Sequence, residues 1–186
     1  MSSPPATRRF TTAEYYRMVA AGILGEDDRV ELVDGRVVEM TPIGPRHAGC
    51  VKEITRLLYR ALGDAVIIGV QDPVTLGDGF EPQPDVLVLR RPPEGFRRRH
   101  PGPADVLLLI EVSDASLEYD RGTKVPLYAR AGIAEVWIVD LDGARIEVYR
   151  TPSGEGYRDV RAVSRGEMLS PSAFPDVVIP AAEVLD

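Results

Sequence analysis

The chain has 186 residues, a net charge of -7, 44% hydrophobic and 27% charged residues, and one cysteine. That length fits one domain with a core and one site, the composition is that of a soluble globular protein, and no apolar stretch approaches the length needed to cross a bilayer. The acidic balance excludes bulk coating of nucleic acid but not a local site, while Cys50 alone excludes an internal disulfide or a cysteine zinc site and points to a reducing cytoplasm.

The first ten residues lack the apolar core of a signal peptide and are predicted to be disordered. Thr11 or Thr12 then caps a helix through Ala21, with Glu14 in its first turn and Gly22 just past its end. Val30 to Val33 and Arg36 to Met40, joined at Asp34-Gly35, predict a β-hairpin. Glu31 lies on its first strand, where the plain reading is a surface side chain. Val51, Ile54, Leu57, Leu58, Ala61 and Leu62 recur at helical spacing and predict a helix from Pro45 to Leu62, closed by Gly63. Arg46 and His47 in its first turn either simply begin the helix or offer a phosphate a place to dock.

Ala65 to Val70 and Gln71 to Leu76 read as strands, followed by turn residues at Gly77, Asp78 and Gly79. Pro82 and Pro84 keep the next segment extended and set Asp85 at the start of a buried strand, Val86 to Leu89. The Pro-rich connection from Arg90 to Pro103 gathers Arg90, Arg91, Arg97, Arg98, Arg99 and His100, either as a solvated loop or as a basic edge for a phosphate backbone. A helix over Asp120 to Ala131, ended by Gly132, contains Pro126, which delays its start or kinks it. Ala134 to Asp140 is an apolar strand, and an Asp142-Gly143 turn leads into a half-exposed strand from Arg145 to Arg150. A further strand is expected around Tyr157 to Ala162, and the segment from Phe174 to Leu185 is expected along a sheet edge.

Between the basic connection and the Pro126 helix lies the stretch with the strongest chemical signal. Val106, Leu107, Leu108, Leu109, Ile110 and Val112 form an apolar block that reads as a strand buried on both faces, yet Glu111 interrupts it. A carboxylate there costs several kcal/mol unless it is paired, protonated or bound to a cation. If the Asp85 and Glu111 strands are antiparallel neighbours, the start of one lies beside the end of the other and the two carboxylates meet. They repel unless a divalent cation sits between them, and hard oxygen donors without Cys or paired His favour Mg2+ or Mn2+. Lys52 and Lys124 are the only lysines among 22 basic residues. Lys52 falls on a surface helix face, whereas Lys124 follows Glu111 closely enough to swing back over the site as a compact, tunable charge.

The ordered set Pro84-Asp85, Glu111-Val112-Ser113, Asp120-Arg121-Gly122-Thr123-Lys124, Leu127-Tyr128, Ala131-Gly132-Ile133 and Glu135-Val136-Trp137 resembles the Uma-type family of restriction endonucleases, within the PD-(D/E)XK nuclease superfamily. Glu31 to Gly35 and Gly44 to His47 join the resemblance, which runs from about Thr11 to the end. It implies one restriction-endonuclease-like α/β domain over residues 11–186, with a mixed central β-sheet flanked by helices and additional antiparallel hairpins. It also implies a metal-dependent endodeoxyribonuclease in which Asp85, Glu111 and Glu31 hold Mg2+ or Mn2+. The superfamily's lysine usually lies two residues after the acidic residue, where this chain has Ser113, so the resemblance makes Lys124 its replacement. DNA as partner, a cytoplasmic location and a homodimer that cuts a duplex as a pair complete the expectation. The rival reading is a nuclease fold kept as a binding or assembly module with little turnover. Trp137 and Tyr128 read as core.

Overall fold

The computed structural model describes residues 7–25 and 27–185. Of the start expected to be disordered, residues 1–6 lie outside the described residues. Residues 7–10 carry no regular secondary structure, and the Phe10 N–H donates to the Gly35 carbonyl at 2.7 Å. Helix α1 (Thr12–Ala20) follows, with Thr11 and Glu14 closing a reciprocal capping box.

Six strands form a mixed sheet: β3 (Ile67–Val70), β4 (Val86–Leu89), β5 (Val106–Ser113), β6 (Glu135–Asp140), β7 (Arg145–Ser153) and β8 (Gly156–Ser164), side by side in that order. Every neighbouring pair is antiparallel except β5 and β6, which run parallel. A separate hairpin, β1 (Val30–Val33) with β2 (Arg36–Glu39), is tied to the connection before β4 by a bridge between Leu32 and Glu81.

The period-two alternation of the strands divides the core in two. Val86 and Val88 of β4 and Leu108, Ile110 and Val112 of β5 pack under α2 (Pro45–Leu62) with its Ile54, Leu57 and Leu58. Leu87, Leu89 and Leu109 face the other way, toward Val33 of the hairpin and the Pro126 helix. Glu111 shares the parity of Leu109, so it points into the layer formed by hairpin and helix. That parity decides which side chains it meets.

Four expectations are corrected. Gln71 to Leu76 is not a strand: Gln71 has φ +55°, which turns the chain off the edge of β3, and Val74, Thr75 and Leu76 bond separately to Pro82, Pro101 and Phe80. The strand expected from Ala65 begins at Ile67, because Gly63–Ala65 form a 3-10 turn. The helix expected from Asp120 starts earlier, as α3 (Leu117–Tyr119), passes through a π-helical turn at Asp120–Lys124 and continues as α4 (Val125–Arg130). Pro126 has no N–H to donate into the previous turn, and the widened turn immediately before it absorbs the mismatch. The C-terminal segment lies on the α2 side rather than along an edge. There β10 (Ile179–Pro180) pairs with β9 (Met168–Leu169), and Ala181 and Val184 of α5 (Ala181–Leu185) join the core beneath α2.

Candidate active site

Val86 of β4 lies opposite Ile110 of β5 in the antiparallel ladder, so Asp85 and Glu111 come next on adjoining strands at one end of the sheet. Both line a cleft of about 400 Å3 bounded by the β1–β2 hairpin, the N-terminus of α2 and the α3 to π-turn segment. Glu31 and Lys124 line it too. The structure therefore brings all four candidate residues together, each under 10% exposed.

Lys124 occupies the centre. Its Nζ lies 3.0 Å from Glu31 Oε1 and 3.2 Å from Glu111 Oε1, inside the layer that Glu111's parity selects. Burial works to lower the Lys124 pKa, but the charges of Glu111, Glu31 and Asp120 outweigh it and hold the ammonium protonated. Glu31, a surface side chain in the plain reading, is 4% exposed and takes a second bond at Oε2 from the Gln83 backbone N–H at 3.1 Å.

Glu111 is buried among apolar neighbours, and that burial pushes its carboxyl up to about 8 against the pull of Lys124. The Tyr128 hydroxyl donates to Glu111 Oε1 at 2.5 Å. Tyr128 is fully buried and is core as expected, but it also fixes the orientation of the central carboxylate. It lies four residues after Lys124, the spacing that stacks side chains on one helix face, and this is the signal that would have found it. Tyr128→Phe leaves a buried acceptor one donor short, so urea unfolding is expected to show a loss of about 1–3 kcal/mol. An unchanged midpoint would mean that the hydroxyl supports nothing.

Asp85 is held from three sides. The Val112 N–H donates to Oδ2 at 2.9 Å, the Gln71 amide donates to Oδ1 at 3.2 Å, and His47 Nε2 sits 3.1 Å from Oδ2. The φ of Gln71 that ends the strand is what aims this side chain at Asp85. His47, considered a phosphate ligand at the start of α2, is engaged with Asp85, and that bond raises its pKa. Arg46 is likewise occupied, bonding Asp142 at 2.6 Å and Asp114 at 3.3 Å.

Ser113, two residues after Glu111 where the sequence resemblance led to the expectation of a lysine, faces the same layer as Glu111. Its hydroxyl donates to Asp120 Oδ2 at 2.7 Å, and Ser116 donates to the same oxygen at 2.6 Å. Asp120 opens the π-turn whose last residue is Lys124, so this pair of bonds anchors the turn that delivers the ammonium. Asp120 was absent from the expected site. Its position four residues before Lys124 was the available clue.

The basic connection departs from this picture. It leaves β4 at Leu89, the end of the strand opposite Asp85, so Arg90 to His100 do not line the cleft.

Among the described residues no three His, Cys, Asp or Glu side chains gather into a ready-made metal cage, and no helix is long and apolar enough to cross a membrane. The Uma2 family model, described as "Putative restriction endonuclease", matches residues 12–182. A crystal structure titled as a "putative nuclease belonging to DUF820" from Anabaena variabilis superposes with a TM-score of 0.75 at 15% identity, covering 95% of this chain and 97% of that one. The likeness extends to the mixed central sheet, its helices and its hairpins, the restriction-endonuclease-like architecture expected from the residues. No curated protein matches the chain in sequence.

Proposed function

This chain belongs to the Uma2 family, and from that membership we propose that it is a metal-dependent nuclease hydrolysing phosphodiester bonds in DNA, with residues 11–186 forming one domain. The observation that carries the reading is the placement of Asp85 and Glu111 on adjoining strands in one cleft, with the Lys124 ammonium 3.2 Å from Glu111.

The residues present suit a divalent cation. Glu31, Glu39, Asp85, Glu111, Asp114 and Asp120 line the cleft against Arg29, Lys124 and His47, an excess of negative charge in a partly dry space. The donors at Asp85, Glu111 and Glu31 are oxygens, the preference of Mg2+ or Mn2+, and Mg2+ ordinarily takes one or two carboxylates and completes its shell with water and substrate phosphate. Bound there, such an ion would supply Lewis-acid polarisation of a phosphate and would lower the pKa of a bound water. His47, Gln71 and the Val112 N–H hold Asp85 in one orientation, and Tyr128 does the same for Glu111. Lys124 meets the charge that develops on the phosphate or orients the attacking water, and Glu31 keeps its ammonium in the cleft.

One feature favours the rival reading of a binding module. Lys124 already bridges Glu31 and Glu111, as an internal cation that offsets part of the cluster's charge. Turnover separates the two. The purified protein incubated with plasmid and oligonucleotide DNA in magnesium or manganese is expected to cleave, and Asp85→Ala to lose about a hundredfold or more of that rate. DNA left intact by the wild type in both metals would overturn the nuclease reading.

A further inference from the structure

The arginines that do not reach the cleft form a surface of their own. Arg91, Arg97, Arg98 and Arg99 wall a second cavity of about 1040 Å3, in which Glu94 is the one acidic lining residue. In a chain of net charge -7 this concentration stands out. The loop is held in shape: Arg99 binds Asp105 at 2.6 Å and lies over the Phe96 ring, the Arg90 N–H donates to the Asp105 carbonyl at 2.8 Å, and the Thr75 N–H donates to the Pro101 carbonyl at 2.9 Å. Arg97 and Arg98 are exposed and make no ion pair or hydrogen bond among the described residues. Two unspent guanidinium groups on a fixed loop carry the charge and the hydrogen-bond donors that phosphate oxygens take.

Strand β3 connects this surface to the cleft. Ile67, its first residue, lines the arginine cavity, and Gln71, just past its last, lines the cleft and holds Asp85. β3 is an outer strand of the sheet with no strand paired on its far side among the described residues. Four residues of strand put Ile67 and Gln71 about 13 Å apart, close to four base-pair steps at about 3.4 Å each.

We propose that Arg97 and Arg98, along the outer edge of β3, bind the phosphate backbone of the duplex DNA whose scissile bond lies in the cleft, about four steps from the cut. The assignment rests on the nuclease reading above and names where its substrate docks. It also explains how an acidic protein engages DNA: the carboxylates stay at the cation site and the backbone is held on a separate positive edge.

The test compares the full-length wild type, the double variant Arg97→Ala/Arg98→Ala, and a control pair, Arg56→Ala/Arg60→Ala, on α2, whose exposed arginines are paired with Glu53 and Glu183. Binding of a labelled duplex is followed by anisotropy in calcium between about 50 and 200 mM salt, and hydrolysis of the small diester bis(nitrophenyl) phosphate is followed in magnesium or manganese. The log-log salt slope of the double variant is expected to flatten by about 1.8, at about 0.9 per lost phosphate contact, while diester hydrolysis and the control pair's slope stay at wild-type values. A wild-type slope in the double variant overturns the docking edge and leaves the nuclease reading standing. Absence of hydrolysis of both diester and duplex by the wild type overturns the nuclease reading, and the slope comparison still decides the edge. Absence of duplex binding by the wild type overturns the edge outright.

Discussion

Lys124→Ala is expected to lower metal-dependent cleavage by about a hundredfold or more, with Lys124→Arg recovering little of it. The ammonium is the compact charge at the floor of the cleft, 3.2 Å from a carboxylate assigned to the cation site, and removing one preorganised electrostatic donor typically costs about 10²–10³ in rate. A guanidinium is planar, broader and permanently protonated, and does not fit between two carboxylates spaced for an ammonium. The same variant carries a stability signature. With Lys124 gone, Glu31 and Glu111 are left as like charges at 5% and 4% side-chain exposure. Breaking a buried pair costs about 3–5 kcal/mol, part of which is recovered if Glu111 keeps its proton. Melting in EDTA should therefore fall, and added magnesium should raise the melting temperature of the variant more than that of the wild type. A lysine on a solvated helix predicts changes within about 0.5 kcal/mol and equal rates, and that outcome would remove Lys124 from the chemistry.

The fold was legible wherever a single local rule decided the outcome. Helix α2 starts at Pro45 and ends before Gly63 as its apolar spacing predicts, and the hairpin turns at Asp34-Gly35. Where two rules competed, the sequence pointed the wrong way. Gln71 to Leu76 has the apolar content of a strand, but a positive φ at Gln71 serves a hydrogen bond to Asp85 that no pattern of hydrophobicity encodes. The π-turn is similar. Pro126 signalled a disturbance, yet only the structure shows that the disturbance is placed to turn Lys124 inward. Of the site, Asp85 and Glu111 could be read because a charge inside an apolar strand demands a reason. Asp120 and Tyr128 carried only the weaker signal of their four-residue spacing from Lys124, and a polar group on a helix has many innocent explanations. The basic loop shows the opposite case, a feature read from composition whose place relative to the cleft depends entirely on which end of β4 it leaves.

Glu111→Gln is expected to abolish cleavage while making the metal-free protein more stable at mildly alkaline pH. Burial raises the Glu111 carboxyl from its ordinary 4.5 to about 8. The folded chain then keeps a proton that the unfolded chain has released, so between about pH 4.5 and pH 8 the native state binds more protons than the unfolded one. The stability owed to this group is fully present below pH 4.5 and is lost as pH rises through about 8. Glutamine is nearly isosteric, can still accept the Tyr128 hydroxyl, and does not ionise, so it carries no such loss. Lys124 retains Glu31 at 3.0 Å and is not orphaned. Thermal melts in EDTA from pH 5 to pH 9 should show the wild type declining toward the alkaline side and Glu111→Gln declining less, the gap closing when magnesium is added to the wild type. Coincident profiles would mean that Glu111 is adequately paired in the free protein, and the cleft would then lack the unbalanced charge on which its fit to a divalent cation rests.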